Sequence, residues 1–142
     1  MLNSSRIIFY HTHSSSARTR FLFFKERNSV LGFSSLPDLS VLLDDGVELE
    51  GKTEIQLSPE EIMASIEDNI SGCDIRLNSD FHSCIDAPDQ IITVFLARLA
   101  DLEPPFEQAE KLNAEFRELP FLRMVHPVEL VLLQKAYYMV MG

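Results

Sequence analysis

The sequence has no tryptophan, two cysteines and five glycines among its 142 residues. Two cysteines, Cys73 and Cys84, cannot build a disulfide framework or a four-thiolate metal site, and they favour a reducing compartment. Charged or polar residues interrupt every apolar run before the roughly 18 residues that a membrane-spanning helix needs. We therefore expect a cytoplasmic protein that does not associate with membranes.

Several chemical motifs are missing as well. The chain has no glycine-rich phosphate loop, no G-x-S-x-G elbow and no H-E-x-x-H pair. Each of these motifs supplies groups that its chemistry needs, namely backbone donors for phosphates, an exposed serine nucleophile, or two zinc ligands on one helix face. Nucleotide transfer, serine hydrolysis and zinc proteolysis therefore lack support, and no cofactor is expected.

Basic residues become scarce after residue 37. Residues 1–37 carry five bases and one acid, a charge of +4, whereas residues 38–142 carry seven bases and 21 acids, a charge of −14. Residues 38–142 are acidic enough to repel phosphate backbones, so no nucleic-acid partner is expected. Residues 1–20 have the serine and arginine content of a targeting segment, an alternative that stays open. Their aromatic and β-branched runs favour strands instead.

The composition that remains is that of one globular domain spanning residues 1–142, with 46% hydrophobic and 24% charged residues. Apolar runs in "RFLFFKERNSVLGF" predict a hairpin, and the Asp45-Gly46 and Gly51-Lys52 turns predict more strand pairing. We expect residues 1–57 to be mainly β and residues 58–142 mainly α.

The first predicted helix is bounded by clear local signals. Ser58 is its N-cap, Pro59 its first residue, Glu61 completes a capping box and Gly72 follows its end. Apolar residues fall on one face and acidic residues on the other. Two more helices are predicted, one from Asp86 or Pro88 to about Leu102 and one over residues 106–119, the latter also with an acidic outer face.

The last predicted helix has no polar face. Eleven of the fourteen residues from Val128 to Met141 are apolar, so the helix must be enclosed, either as the central helix of the domain or by a second subunit. Tyr137 and Tyr138 favour one exposed or interfacial edge, because a buried phenol needs a hydrogen-bond partner. These two tyrosines are the candidate partner-binding residues.

The stretch "DFHSCID" alternates reactive and non-reactive side chains. If it is extended, Asp80, His82, Cys84 and Asp86 share one face. His82 would then act as the base for a Cys84 thiolate, with the following helix start at Asp86 lowering the pKa of the thiol. No known cysteine signature surrounds Cys84, and Asp86 is equally well explained as a helix cap.

A metal site is a further alternative. His11 and His13 would face the same way on a strand, and His82 with Cys84 or Asp80 would complete a set of nitrogen, sulfur or oxygen ligands that zinc accepts. The spacing matches no recognised zinc pattern, and "HTHSSS" also reads as a polar loop after a strand. No metal is the simpler expectation.

These observations predict an α+β fold, with antiparallel strands in the N-terminal part packed against three to four C-terminal helices. The predicted function is that of a non-catalytic acidic accessory or regulatory protein, which binds a protein partner or associates with itself. A basic partner would suit its acidic helix faces. The alternatives are a small enzyme centred on His82 and Cys84, or a weak metal-binding protein.

Overall fold

The computed structural model describes residues 5–141 apart from residues 33, 35, 38, 44–57, 71 and 89. In this part of the chain one mixed sheet contains seven strands. The strands are β1 (Ser5–Thr12), β2 (Thr19–Phe24), β3 (Leu31–Gly32), β4 (Val41–Leu42), β5 (Ile75–Asp86), β6 (Ile91–Leu99) and β7 (Ala114–Arg117). The helices are α1 (Pro59–Asn69), α2 (Phe106–Lys111) and α3 (Pro127–Met141), with a 3₁₀ turn at Leu119–Phe121.

Strand β1 lies inside the sheet, with neighbours on both sides. It pairs in parallel with β6, and antiparallel with β2 and β3. The order across the sheet is β4-β5-β6-β1-β2-β7, with β3 beside β1. Among the described strands, β4 and β7 are therefore the two edges of the sheet, and the outer side of an edge strand has backbone groups that can pair further.

Helices cover both faces of the sheet, because its strands carry apolar side chains on each side. On one side, the α3 face, Ile8 and Val94 pack with Leu132 and Ala136 of α3. On the other side, the α1 face, the alternate strand residues pack with Ile62 and Ile66 of α1 and with Ala109 of α2. The sheet is the middle layer, with an apolar cluster on each face.

A bulge in β5 changes which of its side chains face which helix. The register against β6 shifts between Asn78 and Ser83. Leu77 packs on the α1 face, whereas Phe81 and Ile85 are buried on the α3 face. An irregular step of this kind moves the odd-numbered side chains from one face to the other.

The predicted fold class is wrong, because the second half of the chain supplies strands to the sheet rather than three to four packed helices. The helix expected from residue 86 or 88 to about residue 102 is strand β6, which lies between β1 and β5. A strand buried on both faces has a near-continuous apolar sequence and lacks the alternation of a half-exposed strand. Ile91, Ile92, Thr93 and Val94 are all β-branched, which favours the strand.

The third predicted helix is correct only at its start. Helix α2 ends at Lys111, and β7 begins at Ala114. Asn113 between them has φ of 53°, a left-handed conformation that asparagine adopts more easily than most residues. Antiparallel pairing of β7 with β2 replaces the rest of the predicted helix.

The first predicted helix is confirmed as α1. Ser58 caps it by accepting a hydrogen bond from the Glu61 N–H at 3.2 Å, Pro59 begins it, and Gly72 lies beyond its end with φ of 82°. The predicted N-terminal strands also exist as β1 to β4, and Phe24 pairs antiparallel with Ser29 in the expected hairpin. The pairing predicted around Asp45-Gly46 and Gly51-Lys52 lies outside the described residues.

Helix α3 is also present as predicted, but it is not a central helix. Leu132, Leu133 and Ala136 are fully buried against the sheet. Its outer side is apolar and exposed, with Tyr138 78% and Val131 47% accessible. No helix in the described part of the chain is long and apolar enough to cross a membrane.

Candidate functional site

An open groove of about 810 Å³ runs beside strand β7, and we call it the β7 groove. Among the described residues, four bases line it, namely Arg18, Arg20, Arg117 and Arg123. Glu115 and Glu118 lie among them, so the described lining carries a formal charge of +2. The chain as a whole carries −10, which makes this groove a local reversal of the protein's charge.

Pairing of β2 with β7 brings these arginines together. Phe21, which lies opposite Arg117, is the first residue of β2 that pairs with β7. Arg18 and Arg20 come just before Phe21 in the chain, so they lie near the Arg117 end of β7. The chain after β7 turns through the 3₁₀ segment, which places Arg123 on the same groove. Residues nearly a hundred positions apart thus form one basic surface.

Two of the four arginines are already paired. Arg18 Nε lies 2.8 Å from Glu118 Oε1, and Arg117 Nε donates to Glu115 Oε1 at 2.6 Å. The Arg117 guanidinium also lies over the Phe23 ring, 4.4 Å from its centre, which fixes its position. Among the described residues, Arg20 and Arg123 form no ion pair, so their charges are available to an incoming anion.

Apolar side chains complete the groove. Phe121 is 63% exposed and Met124 is 46% exposed, and both line it. Exposed large apolar groups beside available charges are the composition of a binding surface rather than of an inert one. The groove can therefore hold a partner that brings both anionic and apolar groups.

The groove continues towards α3. A second hollow of about 510 Å³ shares Arg18, Glu118 and Pro120 with it and reaches Tyr137. Tyr137 is half-buried, and Tyr138 is on the exposed side of the same helix. Tyr137, one of the two tyrosines predicted to bind a partner, thus lies in the extension of the β7 groove, and Tyr138 follows it in sequence.

A smaller and more enclosed cavity of about 210 Å³ lies on the α1 face. Phe9, Phe24, Ile70 and Leu112 line its walls. Arg27 also lines it, with its guanidinium 4.7 Å from the centre of the Phe24 ring. Glu26 and Asn113 complete the lining, and the cavity has room for a small group only.

The predicted catalytic residues lie on β5. His82 is exposed, Cys84 and Asp86 are partly buried, and the intervening Phe81, Ser83 and Ile85 are buried, so the alternation expected of an extended segment is present. His82 Nε2 and Cys84 Sγ are 4.0 Å apart. The cavities described above are lined by other residues, and the enzyme hypothesis stays a prediction.

The alternative metal ligands do not converge. His11 and His13 are at the carboxyl end of β1, with ring centres 6.5 Å apart. Cys84 lies opposite Thr93, which lies opposite Ser5, six residues before His11. That distance along β1 is about 20 Å at 3.3 Å per residue. Within the described residues, no three histidine, cysteine or acidic side chains form a metal-binding group.

His13 takes part in a chain of hydrogen bonds with Ser15 and Glu103. Ser15 Oγ donates to His13 Nδ1 at 2.9 Å, and His13 Nε2 donates to Glu103 Oε1 at 3.1 Å. A serine, a base and an orienting carboxylate also form hydrolytic sites. Here the Ser15 N–H donates to the same Nδ1, and the Ala17 N–H to the His13 carbonyl, so these contacts close the turn between β1 and β2.

His11 is fully buried at the same end of β1. Its Nε2 donates to the Asp101 carbonyl at 2.8 Å. Nδ1 has no hydrogen-bond partner among the described residues. Nearby, burial and then the charge of Asp101 raise the pKa of the Cys73 thiol, so this thiol is less reactive than an ordinary one.

Sequence reasoning missed the second half of the groove. The excess of bases in residues 1–37 was a signal for Arg18 and Arg20. Nothing in the sequence signals that Arg117 and Arg123 join them, because Arg117 was placed in, and Arg123 after, a predicted helix that in the structure ends at Lys111. A scan against models of known protein families finds no match, and a search of curated proteins finds no similar sequence.

Proposed function

We propose that this chain is a non-catalytic accessory or regulatory protein that binds another protein, and that the β7 groove is its binding surface. The observation that carries the proposal is that Arg20 and Arg123, which form no ion pair with any described residue, line one groove together with exposed Phe121 and Met124. Interfaces are enriched in arginine, aromatic and methionine side chains. The adjoining Tyr137 and Tyr138 extend the same surface onto α3.

The positive charge of the groove changes the kind of partner that we expect. Acidic outer faces on two helices suggested a basic partner, and α1 and α2 do expose Glu60, Glu61, Glu67, Glu107 and Glu110, but the β7 groove is positively charged. A symmetric dimer formed groove to groove would also place arginine against arginine, because both subunits use the same patch. We therefore favour a different protein as the partner at this groove, in a reducing compartment such as the cytoplasm, where Cys73 and Cys84 stay unbridged.

Site-specific photo-crosslinking tests this function. A photoreactive residue is placed at Phe121 or Tyr138, with Leu102 as the control because it is 82% exposed and apolar but lines none of the cavities described here. In extract of the native cells, we expect one discrete adduct from Phe121 and Tyr138 and little from Leu102. The adduct from Phe121 should disappear when Arg20→Glu and Arg123→Glu are introduced.

Two results would contradict the proposal. One is adduct formation of equal yield at Leu102, which shows contact without a defined surface. The other is an adduct whose mass is that of two copies of this chain, which would make self-association the function of the groove.

A further inference from the structure

Strand β7 is at the edge of the sheet that the described residues form, and its hydrogen-bond pattern shows which backbone groups face outward. Its four residues pair with Phe24 to Phe21 of β2 in order, and the Lys25 N–H donates to the Asn113 carbonyl at 3.2 Å. Bonded and non-bonded pairs alternate in an antiparallel ladder. Asn113, Glu115 and Arg117 therefore direct their backbone groups to β2, and Phe116 directs its N–H and C=O away from the sheet.

The β7 groove lies along this outer edge. Successive side chains of a strand point to opposite faces of the sheet. Glu115, Phe116, Arg117 and Glu118 follow one another and all line the groove, so the groove must pass along the edge that both faces share. In the part of the chain that the structure describes, no backbone group bonds to the outward N–H or C=O of Phe116. A partner strand therefore has donors and acceptors to meet there.

The side chains around the edge determine what such a strand must carry. Arg20 and Arg123 attract carboxylates, because their charges are not neutralised by Glu115 or Glu118. Phe121 and Met124 offer apolar contact between the charges. An extended chain alternates its side chains, so acidic and apolar residues in alternation would satisfy both kinds of group.

We propose that the β7 groove takes an extended acidic segment of the partner protein, which adds to the sheet as a further strand beside β7. This inference rests on the proposed function and names the partner's chemistry and mode of binding. Backbone pairing with Phe116 fixes the segment's direction and register, and the arginines select its charge. A nucleic acid fits less well, because Glu115, Glu118 and the net charge of −10 repel a polyphosphate chain and Phe116 would gain no partner.

The test uses a labelled peptide of about eight residues that alternates glutamate and valine, long enough to cover an ordinary strand. Fluorescence anisotropy measures its binding to the full chain. We expect saturable binding that the double variant Arg20→Ala/Arg123→Ala weakens by about three- to tenfold, the effect of losing two exposed ion pairs. The matched control Arg76→Ala/Arg98→Ala removes two arginines elsewhere in the sheet and should leave binding within about twofold.

Two further arms test the strand pairing itself. Phe116→Pro removes the outward N–H without breaking a bond to β2, and prolines are tolerated at such edge positions. It should abolish binding, whereas Phe116→Leu, which keeps the N–H, should retain most of it. A peptide methylated at alternate backbone nitrogens tests the same point without altering the protein, and it should not bind, so the result does not depend on how Phe116→Pro folds.

The inference is overturned if the methylated peptide binds as well as the parent peptide, or if both arginine double variants weaken binding equally. It is also overturned if a single-stranded RNA oligonucleotide of equal length binds more tightly than the peptide. If the peptide does not bind but the Phe121 and Tyr138 crosslinks still form, only the proposed mode of binding is refuted. Loss of both would refute the proposed function as well.

Discussion

Glu129 is the acidic side chain that the fold buries most deeply, at 3% exposure, within the described residues. Its Oε1 accepts hydrogen bonds from Ser29 Oγ at 2.9 Å and from the Val30 N–H at 2.8 Å. Burial raises the pKa of Glu129, while these hydrogen bonds and the nearby His126 and Arg27 oppose that effect. The carboxylate therefore fastens the start of α3 to the segment before β3, at a cost in desolvation.

We expect Glu129→Gln to alter how stability depends on pH. Because the pKa of Glu129 is raised above its ordinary 4.5, the folded state keeps a proton that the unfolded state loses as the pH rises above 4.5. The free energy of unfolding of the native protein should therefore fall with rising pH, up to the folded pKa, relative to that of Glu129→Gln.

Urea unfolding between about pH 4 and pH 8 measures this difference, with Glu60→Gln on the exposed face of α1 controlling for the loss of one negative charge. A difference between native protein and Glu129→Gln that stays constant, or that grows in favour of the native protein as the pH rises, would contradict the assignment.

The burial of Glu129 was not predictable from the sequence. In a helix of eleven apolar residues among fourteen, Glu129 looks like one of three polar positions that point in different directions. Its partners Ser29 and Val30 come from about a hundred residues earlier in the chain. Only the packing of α3 over the start of β3 brings them together, and no local pattern encodes that contact.

Some helices and strands are indicated by residues at their own ends, whereas others form only because of the strands beside them in the sheet. Helix α1 was predictable because Ser58, Pro59 and Gly72 act through the backbone within a few residues. Strand β6 was not, because the burial of both its faces depends on β1 and β5. A helical period can be fitted to any nearly continuous apolar run, so periodicity alone does not separate the two structures.

Asn113 sets the boundary between α2 and β7, and its substitution tests that role. A left-handed backbone costs an ordinary residue roughly 1–2 kcal/mol, less for asparagine and least for glycine. We expect Asn113→Ala to lower the free energy of unfolding by about 1 kcal/mol and Asn113→Gly to leave it unchanged or slightly raised. Chemical denaturation of the three proteins gives the comparison.

Equal destabilisation by alanine and glycine would mean that the Asn113 side chain, rather than its backbone conformation, holds the boundary. Because β7 carries the groove, Asn113→Ala should also weaken binding of the glutamate and valine peptide more than Asn113→Gly does. That second measurement connects the α2 to β7 boundary with the groove.

In the molecule as a whole, the described lining of the β7 groove has a net positive charge, whereas the chain has a net negative charge. The sequence shows a +4 segment in residues 1–37 and −14 in the remainder. It does not show that Arg117 and Arg123, from the acidic part, lie beside Arg18 and Arg20. That arrangement follows from the sheet order, in which β2 pairs with a strand that begins at residue 114. Charge composition was therefore predictable from the sequence, whereas the position of the groove was not.

Long-range charge should also influence how the partner associates. The acidic body repels an acidic segment at a distance, and the +2 groove attracts it only nearby, within about a Debye length of 10 Å at 0.1 M salt. We therefore expect the proposed binding at the groove to depend on close contacts with the edge of β7 more than on long-range electrostatic attraction. Backbone pairing is the contact that separates this mode of binding from simple charge attraction.

Residue-resolved amide hydrogen exchange, with and without the saturating glutamate and valine peptide, measures that pairing. Strand addition predicts that exchange of the Phe116 amide slows by about tenfold or more, while amides of β4, at the opposite edge of the sheet, keep their rates. If the peptide binds and the Phe116 amide exchanges as fast as before, or if β4 is protected to the same extent, no strand has been added beside β7.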